Sequence, residues 1–200
     1  MAARNHLDAH VPWLSVPVIE FLESRVRPDD HVFEYGGGGS TLWLAERAGR
    51  VVTVEHDPGW FYWIDHEVRR SGVTGCALFL CPPSAEEPRT VPHSPPGTDY
   101  GSSVGGNFEE YVTSIELFPA DSLDLVLIDG RSRPACVVHA ASKLRPGGTL
   151  VLDDSDRPAY RAATYVLDPW TRFDFRGSRT LSDPNAMVRT TCWVRPHRVQ

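Results

Sequence analysis

Apolar positions Leu14, Val18, Phe21, Leu22 and Val26 recur at helical spacing until Arg27-Pro28-Asp29-Asp30 interrupts them. The run His31–Tyr35 then reads as a strand, followed by four glycines and Ser40. Thr41–Gly49 reads as a short helix with an apolar face that Gly49 closes, and Val51–Glu55 as a second strand rich in β-branched residues. Asp57-Pro58 supplies an N-cap and a first-position proline for a helix carrying Trp60, Phe61, Ile64 and Val68. Cys76–Cys81 forms a third strand. Asp124–Asp129 and Gly148–Asp154 are apolar on both faces, as strands of a parallel sheet covered on both sides are; a helix over Cys136–Leu144 lies between them, closed by Arg145-Pro146-Gly147-Gly148. This repeated strand-helix alternation predicts a doubly wound α/β fold.

Two segments depart from the rhythm. Residues 82–107 are rich in Pro, Gly and Ser and too long for an ordinary connection, which leaves a functional lid and a flexible insertion both open. Near the C-terminus, Trp170–Gly177 and Thr190–Pro196 read as an antiparallel hairpin at the sheet edge, with its turn around Ser182-Asp183-Pro184-Asn185.

The length of 200 residues suits one domain spanning 1–200. No window approaches the ~18 uninterrupted apolar residues of a membrane span. Nor does the N-terminus carry a secretory signal, so the expected setting is cytoplasmic, without membrane partners. A formal net charge of −6 argues against a nucleic-acid partner and for a small molecule, with self-association as a homodimer left open. The four cysteines form no CxxC pair and read as small buried hydrophobes.

Ligands of open α/β sheets bind beyond the carboxyl ends of the strands, where Glu34-Tyr35-Gly36-Gly37-Gly38-Gly39-Ser40-Thr41 falls. Glycine there allows a left-handed backbone and close approach of a ligand. Glu34 stands two positions before the first glycine and Thr41 occupies the place of the third glycine of a dinucleotide site; both disfavour a pyrophosphate and leave room for a cationic sulfonium. Glu55, ending the second strand beside His56, is placed to accept ribose hydroxyls in either kind of site.

Taken together, Val32–Ser40, Val54–Asp57, Leu127–Gly130 and Leu144–Ser155 resemble the motifs of class I S-adenosylmethionine-dependent methyltransferases, over about residues 32 to 157. That resemblance implies a Rossmann-like sheet of about seven strands in the order 3-2-1-4-5-7-6, with an antiparallel last strand. It also implies a cofactor site of Glu34, Tyr35, Gly36, Gly37, Gly38, Ser40, Thr41, Glu55, His56 and Asp129. The later half is similar to the cation-dependent small-molecule O-methyltransferases, which implies a metal site, with Mg²⁺ the suited ion, at Asp129, Asp153 and Asp154. The same acids equally suit helix capping or contact with the acceptor.

The expected activity is therefore methyl transfer from S-adenosylmethionine to a small-molecule acceptor, on oxygen. A nicotinamide-dependent oxidoreductase and a non-catalytic cofactor-binding protein are the alternatives, and no Tyr-x-x-x-Lys hydride site is present to favour the first. Catalytic candidates are Asp129, Asp153, Asp154 and Tyr100, the last within 82–107. Arg131 and Arg133 flank the presumed acceptor pocket, where they read either as surface residues or as a fork for a substrate carboxylate or phosphate. His139 reads as semi-buried, and Trp43, Trp60 and Trp63 as packing residues.

Overall fold

A computed structural model describes residues 10–95, 98–179 and 187–197. Its strands are β1 (His31–Tyr35), β2 (Arg50–Glu55), β3 (Cys76–Leu80), β4 (Leu123–Ile128), β5 (Leu144–Leu152), β6 (Thr171–Ser178) and β7 (Met187–Val194). They form one sheet in the order β3-β2-β1-β4-β5-β7-β6, parallel except where β7 runs antiparallel to β5 and β6. This is the doubly wound arrangement that the pattern of elements predicts, with the Rossmann-like strand order that the resemblance implies. The hairpin partners β6 and β7 are in place, while the turn expected at Ser182–Asn185 lies outside the described residues.

The helices are α1 (Val16–Glu23), α2 (Gly39–Ala45), α3 (Pro58–Ser71), α4 (Glu109–Thr113), α5 (Arg133–Ala140) and α6 (Arg161–Thr164). Asp57 caps α3, accepting the Trp60 amide at 2.7 Å, and Gly72 ends it in the left-handed conformation. Two buried clusters cover the two sheet faces. One gathers Phe33, Tyr35, Phe108, Tyr111 and Val137; the other gathers Leu14, Leu22, Trp43, Val51 and Leu127. Cys136 and Cys192 are buried within them as free thiols. Among the described residues no helix is long and apolar enough to cross a membrane.

Boundaries differ from the sequence pattern around β5, where the helix expected over Cys136–Leu144 is α5, ending at Ala140. The Arg145-Pro146-Gly147-Gly148 stretch, expected to be a turn, belongs to β5, which starts at Leu144. There Leu123 pairs with Leu144 but Leu125 pairs with Thr149, so the extra residues bulge out of the ladder. Gly147 takes φ +83°, and a Cβ on Gly148 would meet the carbonyls of Arg145, Leu123 and Asp124 at 2.9–3.1 Å, so glycine is what lets the strand begin before its bend.

The described part of 82–107 folds back on itself. Isolated antiparallel bridges join Ser84 to Asn107, Thr90 to Asp99 and Gly101 to Asn107, and Val91, Thr98 and Tyr100 are buried.

Candidate active site

Register aligns the carboxyl ends of the central strands: Tyr35 lies opposite both Val54 and Ile128. Just past those ends, the Gly36 amide donates to the Val54 carbonyl at 2.9 Å, the Asp129 amide to Tyr35 at 3.0 Å, and the Asp153 amide to Ile128 at 3.1 Å. The turns after β1, β4 and β5 are thereby laced into one rim. Gly36 has φ +84°, and a Cβ there would lie 2.5 Å from the Gly130 Cα; a Cβ on Gly130 would lie 2.0 Å from the Tyr111 Oη. Two bare backbones in contact thus form the floor of the cleft. Gly38 is different, since a Cβ there would meet nothing within 4 Å and its φ of 174° is ordinary extended backbone. Its bareness serves the open space, not the fold.

That space is a cleft of about 380 Å³ lined by the chain from Gly36 to Ser40, by Glu55, His56, Asp57 and Trp60, by Asp129, Arg131 and Arg133, and by Trp13 and Arg179. Of the residues expected to hold the cofactor, Gly36, Gly37, Gly38, Ser40, Glu55, His56 and Asp129 line it. Glu34, Tyr35 and Thr41 do not. Glu34 is wholly buried beneath the turn and accepts hydroxyl bonds from Ser40 (2.5 Å), Thr41 (2.6 Å) and Thr53 (2.7 Å). Burial raises its carboxyl to about 7, even though those three hydroxyls favour the charged form. Thr41 also accepts from the Gly38 amide at 3.0 Å, so the Glu34-Thr41 pair sets the turn from below. The Tyr35 hydroxyl donates to the Val112 carbonyl at 2.6 Å, inside the core.

Glu55 holds the second wall. One carboxylate oxygen accepts the His56 and Asp57 amides at 2.8 Å, and the other accepts the Gly37 amide at 3.1 Å. The His56 Nδ1 stands 2.7 Å from the same carboxylate. Trp60 packs against Leu42 and Ile64, as its spacing suggested, and also walls the cleft because its indole N–H donates to the Gly37 carbonyl at 2.8 Å. Trp63 is half exposed, whereas Trp43 is buried as expected.

Asp129, Asp153 and Asp154 do meet at one rim, but guanidinium groups stand among them. Arg133 approaches Asp129 at 2.8 Å and lies 3.7 and 3.6 Å from Asp153 and Asp154. Arg179 bridges Asp153 and Asp154, at 2.6 Å to each, and Arg157 holds Asp154 at 2.5 Å. The donor set is already neutralised and does not fit the expected Mg²⁺; among the described residues no group of His, Cys, Asp and Glu is arranged to hold a metal. Asp153 is fully buried, accepting the Thr190 hydroxyl at 2.7 Å, and lines neither this cleft nor the cavity beside it. Asp129 faces the cleft. Burial pushes its carboxyl well above the usual range, and neighbouring Asp153 adds to this while Arg133 and Arg179 oppose it.

Tyr100 stands away from the cleft, its ring buried and its hydroxyl 3.2 Å from His139 Nε2, with His139 Nδ1 2.8 Å from Glu116. Sequence reasoning missed Trp13 and Arg179. Arg179 follows the end of β6, a strand with no local motif, and only the fold carries it 2.6 Å from acids at the end of β5. Its guanidinium lies 5.8 Å from the Trp13 ring centroid.

With this geometry in view, a family of methyltransferase domains matches residues 33–155. No curated protein sequence matches. Among solved structures, the fold is similar to a methyltransferase-like protein of Silicibacter pomeroyi (20% identity, TM-score 0.59, covering 94% of this chain and 93% of that one). It is also similar to an rRNA methylase of Streptococcus thermophilus (10% identity, TM-score 0.59, covering 90% and 95%). It is similar as well to a Streptococcus mutans protein solved in complex with S-adenosylhomocysteine (10% identity, TM-score 0.58, covering 90% and 97%). Identities this low speak to the fold alone.

Proposed function

The chain belongs to the methyltransferase domain family of class I architecture, and on that premise we propose that it transfers a methyl group from S-adenosylmethionine, held along the Gly36–Ser40 turn, to an oxygen of a small-molecule acceptor. The observation that carries this reading is the convergence of the open backbone at Gly38, the Glu55 wall and Asp129 on one cleft at the carboxyl ends of β1, β2 and β4. Residues fit the cofactor in kind. Glu55 accepts ribose hydroxyls, the bare turn admits the ligand against the backbone, and Trp60 and Trp13 give apolar walls.

Bound there, the cofactor supplies an electrophilic methyl group on a sulfonium. The chain's own task is to align the acceptor oxygen for in-line attack and to take its proton. Asp129 is the proton acceptor, because burial lifts its basicity and Arg133, also bonded to the Asp129 backbone carbonyl at 2.7 Å, fixes where the carboxylate stands. The residues of this chain would hold the acceptor oxygen in line with that methyl group, and Asp129 would take the proton the oxygen gives up as it is methylated. No cation is required, since Arg133 and Arg179 already provide the positive charge beside the acids. The segment 82–107 borders the acceptor side and is the proposed lid of a single domain.

The net charge of −6 favours a small acceptor over RNA, although a solved relative of the same fold is an rRNA methylase. The test is mass-spectrometric: the protein is incubated with labelled S-adenosylmethionine and either a hydroxylated metabolite extract or total RNA. Label in small molecules supports the reading, and label confined to RNA replaces its acceptor.

A further inference from the structure

Beside the cofactor cleft lies a second cavity of about 630 Å³, and the two share Gly130, Arg131 and Arg133. Its size is that of a small-molecule site. Asp129 lines the cofactor cleft next to the shared Gly130, so a ligand that reaches from the second cavity across this shared wall meets the proposed proton acceptor. The lining is polar and basic: Arg131, Arg133 and Arg157 on one side, Ser102 and Ser103 of the 82–107 segment on the other. Two of these arginines are spoken for, Arg133 by Asp129 and Arg157 by Asp154. Arg131 is not. Among the described residues its guanidinium makes one hydrogen bond, to the His56 Nε2 at 3.4 Å, and has no carboxylate within ion-pair distance. Asp99, the one acid of the lining among the described residues, has its carboxylate turned to the Gly101 amide at 2.8 Å. A partly buried guanidinium without a counter-ion, at the junction of two cavities, asks for an anion from the ligand.

We propose that the acceptor occupies this second cavity and carries a carboxylate or a phosphomonoester, gripped by the fork of Arg131 while its hydroxyl faces Asp129. The proposal rests on the methyltransferase reading and adds the chemical class of the substrate. Arginine suits the task because its planar donors meet two oxygens at once and keep their charge at every working pH.

The experiment uses the full chain saturated with S-adenosylhomocysteine, so that the cofactor cleft is closed to the probes, and titrates benzoate, phenyl phosphate and neutral benzyl alcohol by calorimetry or ligand-observed NMR. At least one of the two anions is expected to bind more than tenfold tighter than the alcohol; whichever does so identifies the anionic group. Arg131→Gln should remove that preference, Arg131→Lys should keep part of it, and Arg172→Gln, on the exposed edge strand β6, should change nothing. Circular dichroism and urea unfolding verify that each variant is folded, and every titration is run at saturating S-adenosylhomocysteine. Equal binding of all three probes, or an anion preference that survives Arg131→Gln, overturns the proposal while leaving the methyltransferase reading intact. Failure of S-adenosylhomocysteine itself to bind removes the reading underneath, and this inference with it.

Discussion

At the scale of single residues, two neighbouring glycines separate folding from binding. Gly130→Ala would drive a Cβ to 2.0 Å from the buried Tyr111 hydroxyl and 3.0 Å from Gly36, and should destabilise the protein by roughly 1–3 kcal/mol in urea unfolding. Gly38→Ala meets open space, so stability should fall by about 1 kcal/mol or less while S-adenosylhomocysteine affinity drops at least tenfold; unchanged affinity would place the ligand elsewhere. Glu34 makes a prediction with a sign. Its folded-state value of about 7 lies above the ordinary 4.5, so the folded protein holds a proton that the unfolded chain has released across that window. Stability from this group is thus fullest below pH 4.5 and declines as pH rises to about 7, by up to about 3 kcal/mol. Wild type minus Glu34→Gln, measured at pH 5 and pH 8, should show that decline; an equal difference at both pH values would mean that Glu34 is charged in the fold. Asp129→Asn should slow the chemical step by roughly 10²–10⁴-fold with cofactor affinity nearly unchanged. The wild-type rate should rise with pH over a range above that of ordinary carboxylates, because the raised carboxyl must lose its proton before it can accept another. A flat profile together with an active Asn variant would leave Asp129 as a structural partner of Arg133.

At the scale of elements, the sheet was legible because its signals are local. Periodicity marked the strands, Asp57-Pro58 marked the start of α3, and glycines marked the turn after β1. The site was legible in outline, since the ends of β1, β2 and β4 must share a rim in a doubly wound sheet. What sequence could not separate was which side of a strand end a residue serves. Glu34, next to last in β1, and Glu55, last in β2, are both acids near strand ends, yet one points down to three hydroxyls and the other toward the cleft. Long-range charge compensation was equally hidden. The Asp153-Asp154 pair resembles a cation site until Arg179 arrives from the end of the edge strand β6. Turnover should accordingly survive EDTA, and added Mg²⁺ should not raise it; loss on chelation with recovery on Mg²⁺ would show that the arginines yield their places to an ion. In the segment 82–107, the bridges and the buried Val91 and Tyr100 predict slow proteolysis even in the unliganded protein, slowing further when cofactor and acceptor are present. Fast cleavage at equal rates with and without ligands would deny it a gating role.

At the scale of the whole molecule, seven strands and two apolar layers put one open turn, the Glu55 carboxylate and the raised carboxyl of Asp129 within a single cleft, next to a basic cavity large enough for a second ligand. A dinucleotide makes different demands on the same architecture: it needs amides free to receive a pyrophosphate, whereas here the Gly37 amide is bound to Glu55 and the Gly38 amide to Thr41. The choice of ligand is therefore the point at which the account is most exposed. Calorimetric titration of the purified chain with S-adenosylhomocysteine and, separately, with NADH tests it directly. The account predicts a dissociation constant in the micromolar range for S-adenosylhomocysteine, or about −8 kcal/mol, and no measurable heat with NADH. Tight binding of NADH with none of S-adenosylhomocysteine would contradict it.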